Sequence, residues 1–400
     1  MSHRPAPLPL AEAQSRLLAF APDLPIEWRE AGQCAGYYLA EPVTARRDQP
    51  AAPLSAMDGF ALRAADLPGP WDVIGESAAG HPFTGSVATG QAIRISTGAM
   101  VPPGADMVLI KEDSAVDGKT LLLTGTPPQP TGRHIRPQAM DFGAGSVILP
   151  AGWRIDAAAI GLTIAAGHAH LPVRRAVRLA VIDGGDELAL AGTLPEQHQI
   201  PASNGPMLAA IAQRLPVQAT RIGPVPDRLD ALISAFAAAA DADVIVTSGG
   251  ASVGDHDLMR PALAAIGAQL EFWRVGIKPG KPLLVARRGH QIIVGLPGNP
   301  ASAWVTAFLF LLPLLRATLG AGHALPRTIH VPLATPMGKG GSRMEFLRAR
   351  WDGASVALDP LQDSGALSPL ARANALVVRE PGAAPAPVGT PVPVYLTELD

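Results

Sequence analysis

Residues 243–257, DVIVTSGGASVGDHD, decide how this chain is read. The apolar run through Val246 has the length and branching of a buried strand that ends at Thr247. Ser248, Gly249 and Gly250 then form a turn before a helix expected from Asp255. Glycines at such a turn let backbone N–H groups approach a phosphate with no Cβ in the way. Ser248 and Ser252 add hydroxyl donors. Asp255 and Asp257 are hard oxygen ligands, suited to a magnesium ion bridging the same phosphates. An ordinary strand-to-helix turn with a capping Asp accounts for one acid. It does not account for two serines, two glycines and a second acid together.

Outward from this stretch, 179–183 and 291–295 are further short strands rich in Val and Ile. Helical spacing appears at 204–215, 227–240, 255–266 and 299–319. Such alternation predicts a mostly parallel sheet covered by helices, with ligands bound outside the carboxyl ends of its strands. Two more clusters fall at such ends. GIKPGKP, 276–282, holds Lys278 and Lys281 on a loop restricted by two prolines, a receptor for a small dianion or a phosphate; a solvated turn explains it equally well. GLPGNPASA, 295–303, puts Pro297 and Gly298 ahead of a helix opening at Asn299. Free N–H groups there would attract an anion, although Pro and Asn also start helices for purely structural reasons. Neither GxxxxGK[ST] nor GxGxxG occurs. Asp58 (SAMDGFA), Asp141 (RPQAMDFG) and Glu187 (DGGDEL) sit in polar turns, where capping is the commoner use of an acid.

The remaining chain divides by style into a helix-like start, short apolar runs between turns, and a second β-like end. The helix expected from Asp156 follows the β-rich segment, so it is expected to pack back on the N-terminal helix around 10–21. This gives a two-piece helical linker domain (1–47 and 140–175), a β-rich domain (48–139), an α/β domain (176–325) and a C-terminal β-barrel or sandwich (326–400). The 400 residues are 48% hydrophobic and 16% charged, with a formal net charge of −2 and one cysteine, Cys34. That balance supports sizeable cores and excludes a nucleic-acid coating protein, whose affinity rests on phosphate neutralisation. A single cysteine forms no disulfide within the chain and no cysteine zinc cluster, and it fits a reducing compartment. The N-terminus has no signal-peptide core. The apolar stretch 301–315 is shorter than a membrane span and reads as a buried helix. No membrane partner is expected.

Taken together, SAMDGFA (55–61), STGAMVPPGADMV (96–108), TSGGASVGDHD (247–257), KPGKP (278–282) and GLPGNPAS (295–302) resemble the molybdopterin molybdenumtransferases. This is the MoeA family, to which the E domain of gephyrin belongs. SRMEF (342–346) and QDSGALSPLARANAL (362–376) extend the likeness over nearly the whole chain. The resemblance implies a four-domain homodimer whose α/β domain is MogA-like. It implies a cytoplasmic enzyme converting adenylyl-molybdopterin and molybdate to molybdenum cofactor and AMP, with Mg2+. A molybdopterin adenylyltransferase is an implied partner.

By motif, Thr247, Ser248, Gly249, Gly250, Ser252, Pro297, Gly298 and Asn299 look like the pterin-phosphate site, with Asp255 and Asp257 at the metal. Lys278, Lys281, Arg343 and Ser364 look like the molybdate pocket. Asp58, Thr97 and Gly98 are expected from the partner subunit, and Asp58, Asp141, Glu187 and Asp255 match acids important for activity. Three positions depart from the family pattern: Ala139 and Asp363 where glycine is common, and Gly184 where threonine is common. A non-catalytic molybdopterin-binding scaffold and a molybdopterin adenylyltransferase are the competing readings.

Overall fold

The computed structural model describes residues 6–249 and 258–397. Gly250, Ser252, Asp255 and Asp257 lie outside the described residues.

The α/β region is built on a six-stranded sheet in the order Val217–Val225, Val177–Gly184, Val244–Ser248, Gln291–Leu296, Leu284–Arg288, Gln269–Trp273. The first four strands are parallel; Leu284–Arg288 runs against them and pairs antiparallel on both sides, so Gln269–Trp273 again follows the direction of the first four. The reversal follows from Arg288-Gly289-His290, where Gly289 at φ +60 turns the chain straight back into Gln291. Side chains alternate across the sheet, so Val244 and Val246 enter one core with Leu179 and Val181 while Ile245 enters the opposite core with Ala180 and Ile293. Burial on both faces explains why these strands read as continuous apolar runs.

The apolar stretch after Asn299 is one long buried helix. It runs Pro300–Thr306, passes through a π-helical turn at Ala307–Leu311 and continues as Leu312–Thr318. Residues 307–312 and 314–315 are all core residues, so this helix is the centre of the α/β core.

The helices of the N-terminal region pack differently from expectation. Helix Leu10–Leu18 does not meet helix Ala157–Ala165; its Ala13 and Leu17 join the α/β core, and Gln14 Nε2 donates to Leu309 O at 2.8 Å. Helix Ala157–Ala165, capped by Asp156 Oδ1 accepting from the Ala159 N–H, packs instead with Ala31, Cys34 and Leu39. What joins the two pieces is an antiparallel strand pair, Ile26–Glu30 with His170–Arg174. An apolar helix face specifies burial, not a partner, which is why sequence spacing misassigned it. Cys34 is fully buried there, and burial pushes its thiol up to about 11.

Strands between Gly59 and Leu123 form a separate six-stranded sheet, with a short Leu54–Ser55/Ile135–Arg136 pair beside it. The C-terminal sheet runs Ile277–Lys278, Met344–Trp351, Ala375–Arg379, Pro391–Leu396, Thr328–Pro332. Val356–Leu358 pairs with Met344–Trp351, and a bridge from Leu333 to Val356 brings the far edge back, giving a small barrel. The strand Ile277–Lys278 belongs to the KPGKP loop, so that loop is stitched directly into the C-terminal barrel.

Candidate active-site cleft

A cleft of about 650 Å³ opens at the carboxyl ends of the parallel strands. Asp183 ends its strand here and is 5% exposed. Burial pushes its carboxyl above the usual range, against the opposing pull of the Arg221 charge and the Gly205 N–H. Gly205 has to be glycine, because a Cβ there would lie 1.8 Å from Asp183 Oδ2. The neighbouring Asn204 opens helix Asn204–Ala212, and its Nδ2 donates to Ser248 Oγ at 2.8 Å and to Gly298 O at 2.6 Å. One side chain therefore ties together the turns after strands Val244–Ser248 and Gln291–Leu296. Gly249 adopts φ +92, and a Cβ on it would meet Gly184 O at 2.4 Å. Asn204 Oδ1 and Thr247 Oγ1 are buried with no partner, an unmet demand for hydrogen bonds at the cleft end of the sheet.

Pro297, Gly298, Asn299 and Glu187 line this cleft with Ser248 and Gly249. The opposite wall comes from the C-terminal barrel. Asn299 Nδ2 donates to Ser364 Oγ at 2.9 Å, and the Ala301 N–H donates to Ser364 O at 3.0 Å. Gly365 and Leu367 complete that wall, whereas Asp363 is exposed and its Oδ1 accepts from the Gly365 N–H at 2.8 Å. The extra acid thus closes its own turn and does not line the cleft. Beneath this loop lies Arg348, 1% exposed, whose Nη2 donates to Leu361 O at 3.2 Å. Its Nε and Nη1 have no partner, and burial pulls its pKa down against the charges of Asp359 and Asp363. Gln362 grips the Arg348 backbone on both sides, accepting from its N–H and donating to its carbonyl.

Lys278 and Arg343 both make their contacts at the Ile277–Lys278 strand and its neighbour. Arg343 Nη1 donates to Ile277 O at 3.1 Å, and Lys278 Nζ lies 3.1 Å from Glu345 Oε1. Glu345 is nearly fully buried and also accepts from Arg379 Nε at 2.6 Å. Burial would raise its pKa, but the Lys278 and Arg379 hydrogen bonds outweigh that and hold it low. Lys281 is exposed beside Pro282, which lines the cleft, and makes no ion pair among the described residues.

Asp58, Thr97, Gly98 and Asp141 do not line this cleft within one chain. Asp58 Oδ1 accepts from the Thr97 N–H at 2.7 Å and Oγ1 at 2.9 Å, bonds that lower its pKa, and it lines a separate hollow of about 360 Å³. Gly98 turns the chain at φ +81, its N–H on Ser55 O. Asp141 is exposed, its N–H bonded to Gln49 O. Among the described residues no three His, Cys, Asp or Glu side chains stand together as a metal site.

Asp183, Asn204, Glu345 and Arg348 were not singled out from sequence. Asp183 reads as the end of an apolar strand and Asn204 as a helix start; only their meeting with Ser248 and Gly205 gives them a role.

Three family models match the chain in order: "MoeA N-terminal region (domain I and II)" over residues 8–167, "Probable molybdopterin binding domain" over 180–317 and "MoeA C-terminal region (domain IV)" over 330–397. A molybdopterin molybdenumtransferase of Staphylococcus aureus is 30% identical, covering 98% of this chain and 96% of its own length. One from Nostoc is 34% identical over 86% of this chain and 82% of its own. A solved molybdopterin biosynthesis MoeA protein from Pyrococcus horikoshii superposes with a TM-score of 0.82 at 26% identity, over 98% of this chain and 99% of that one.

Proposed function

Because this chain belongs to the molybdopterin molybdenumtransferase (MoeA) family and is a transferase of molybdenum cofactor biosynthesis, we propose that it performs the metal-insertion step, converting adenylyl-molybdopterin and molybdate to molybdenum cofactor and AMP. The observation that carries this reading is the cleft between two anion-receptive walls. One wall is the Ser248-Gly249 turn with the start of helix Pro300–Thr306, suited to phosphate oxygens. The other is the Ser364 loop of the C-terminal barrel, near which the KPGKP loop brings its lysines.

In this reading Asn204 orients Ser248 toward the pterin phosphate, and the Gly249 backbone approaches it closely. Lys281, with Lys278, Arg343 and Ser364, receives molybdate, a tetrahedral dianion that needs fixed cations and hydroxyl donors. Molybdate gives up one oxygen as water when both pterin sulfurs bind with loss of their two protons. One water is consumed when the phosphoanhydride is cleaved to AMP. Cations near the phosphates stabilise the charge that develops there. Asp255 and Asp257 are the proposed ligands of a magnesium ion, which would neutralise phosphate charge when bound. Glu187 stands on the same cleft as the carboxylate able to take or give a proton.

Asp58, Thr97 and Asp141 reach this chemistry only from a second copy of the chain, so a homodimer with a composite site is part of the proposal. The substrate is already adenylylated, so a molybdopterin adenylyltransferase must precede this enzyme, and both belong in the cytoplasm.

The test is AMP release by the purified chain from adenylyl-molybdopterin and magnesium, with and without molybdate. Molybdate-dependent release that is lost in Lys281→Ala supports insertion. Tight pterin binding with no release would support a scaffold, and ATP consumption without molybdate an adenylyltransferase.

A further inference from the structure

A second cavity, of about 510 Å³, lies away from the cleft where three parts of the chain meet. Its walls are the turn holding Trp153 and Arg154, helix Leu312–Thr318 with Arg316, and the segment with His323 and Arg327 that leads into the C-terminal barrel. The walls are fixed against one another. Gly152 and Gly322 pack so closely that a Cβ on Gly152 would lie 2.6 Å from Gly322 N, and the Gly322 N–H donates to Gly152 O at 3.0 Å.

Among the described residues, the lining of this cavity is rich in guanidinium groups. Arg316 is 8% exposed, and its one side-chain hydrogen bond among the described residues is a long 3.4 Å contact from Nη1 to Ala324 O. Neither Arg316, Arg154 nor Arg327 has a carboxylate partner among the described residues, whereas Arg214, also on the lining, is engaged elsewhere, its Nη1 donating to Thr397 O at 2.6 Å. The one acid among the described lining residues, Asp156, is engaged as the cap of helix Ala157–Ala165. A buried guanidinium without a counter-charge is costly to the fold, and bound phosphate oxygens would relieve that cost in a geometry the arginine fork matches. Trp153, 45% exposed on the wall, offers a flat apolar face beside the arginines.

We propose that this cavity is a binding site for a phosphate monoester carrying an aromatic ring, of the nucleoside monophosphate class, separate from the active-site cleft. Arg316 holds the phosphate from below, Arg154 and Arg327 close on it from the rim, and Trp153 packs on the ring. The site is independent of whether the cleft performs molybdate insertion.

The experiment is calorimetric titration of the full chain with AMP and with inorganic phosphate. It compares wild type, the rim variant Arg154→Gln/Arg327→Gln, Trp153→Ala and the cleft variant Lys281→Ala. The rim variant is expected to lose one class of AMP site, or weaken it about ten-fold or more, while keeping wild-type AMP release. Trp153→Ala is expected to weaken AMP but not phosphate, and Lys281→Ala to leave this class intact. An AMP isotherm unchanged in the rim variant overturns the proposal. So does a rim variant that sediments as a smaller species with unaltered AMP binding, since the cavity would then be a contact with a second copy.

Discussion

Asn299 Nδ2 donates to Ser364 Oγ at 2.9 Å, joining the start of the core helix to a loop of the C-terminal barrel 65 residues further on. Asn299 lines the cleft and Ser364 directly precedes the lining Gly365, so this bond, together with the Ala301 N–H to Ser364 O, helps hold its two walls together. Asn299→Ala removes the donor, at a cost of about 1 kcal/mol in stability. It also lets the Ser364 loop move, so the molybdate concentration for half-maximal AMP release is expected to rise. Asn299→Asp keeps the size but brings a negative charge beside a dianion receptor, and should raise that concentration further than Ala does. Equal molybdate dependence in Asn299→Asp and wild type would remove the bond from the account of the site.

Ala139, two residues before Asp141, has φ +58, a left-handed conformation that crowds its Cβ. The family pattern places glycine here, and the conformation explains that preference. A non-glycine residue in this region costs about 1–2 kcal/mol, part of which glycine gives back through a freer unfolded chain. Ala139→Gly should therefore raise stability by about 0.5–1 kcal/mol, read as a higher urea midpoint with an unchanged slope. A lower midpoint would mean that the turn is not strained.

The features most legible in sequence were those set by local chemistry. Branched runs at 179–183, 243–247 and 291–295 are strands in the structure, and Asp156 caps the helix it was expected to start. Less legible was the edge strand Val217–Val225, whose VQATRIGPV mixes apolar and polar residues because one side of it meets solvent. The destination of helix Leu10–Leu18 was not legible at all. Within the cleft, Ser248, Gly249 and Asn299 carried a visible signal in their glycine-rich turns. Asp183 and Asn204 carried none, since their roles depend on a contact between segments that sequence does not order in space. Glu345 shows the same limit: SRMEF displays an acid, but its cations arrive from residues 278 and 379.

Asp183 makes a pH-dependent prediction. Burial raises its folded pKa, so the folded chain holds this proton more tightly than the unfolded one. The stabilisation is complete below the unfolded carboxyl range and is lost as pH rises through the raised folded value. Asp183→Asn keeps the shape and an acceptor for the Gly205 N–H but does not titrate. The difference in Tm, variant minus wild type, should become more positive as pH rises above the unfolded carboxyl range. A difference that stays flat as pH rises would show that Asp183 carries no burial penalty.

The ion pairs at Glu345 should respond asymmetrically. Lys278 is 57% exposed at its side chain, so water replaces Glu345 readily when Lys278 is truncated. Lys278→Ala is therefore expected to cost about 1 kcal/mol or less. Glu345 is 3% exposed and Arg379 12%, so removing the carboxylate leaves a guanidinium confined without its partner. Glu345→Gln should cost about 3–5 kcal/mol, and the loss should persist in high salt because the Arg379 pair is shielded from solvent. Lys281→Ala, which breaks no ion pair among the described residues, should leave stability unchanged while abolishing molybdate-dependent AMP release. Urea midpoints for the three variants at low and high salt decide the matter. If Lys278→Ala proved as destabilising as Glu345→Gln, the lysine would be a structural member of the barrel, and the dianion receptor would fall to Lys281 and Arg343.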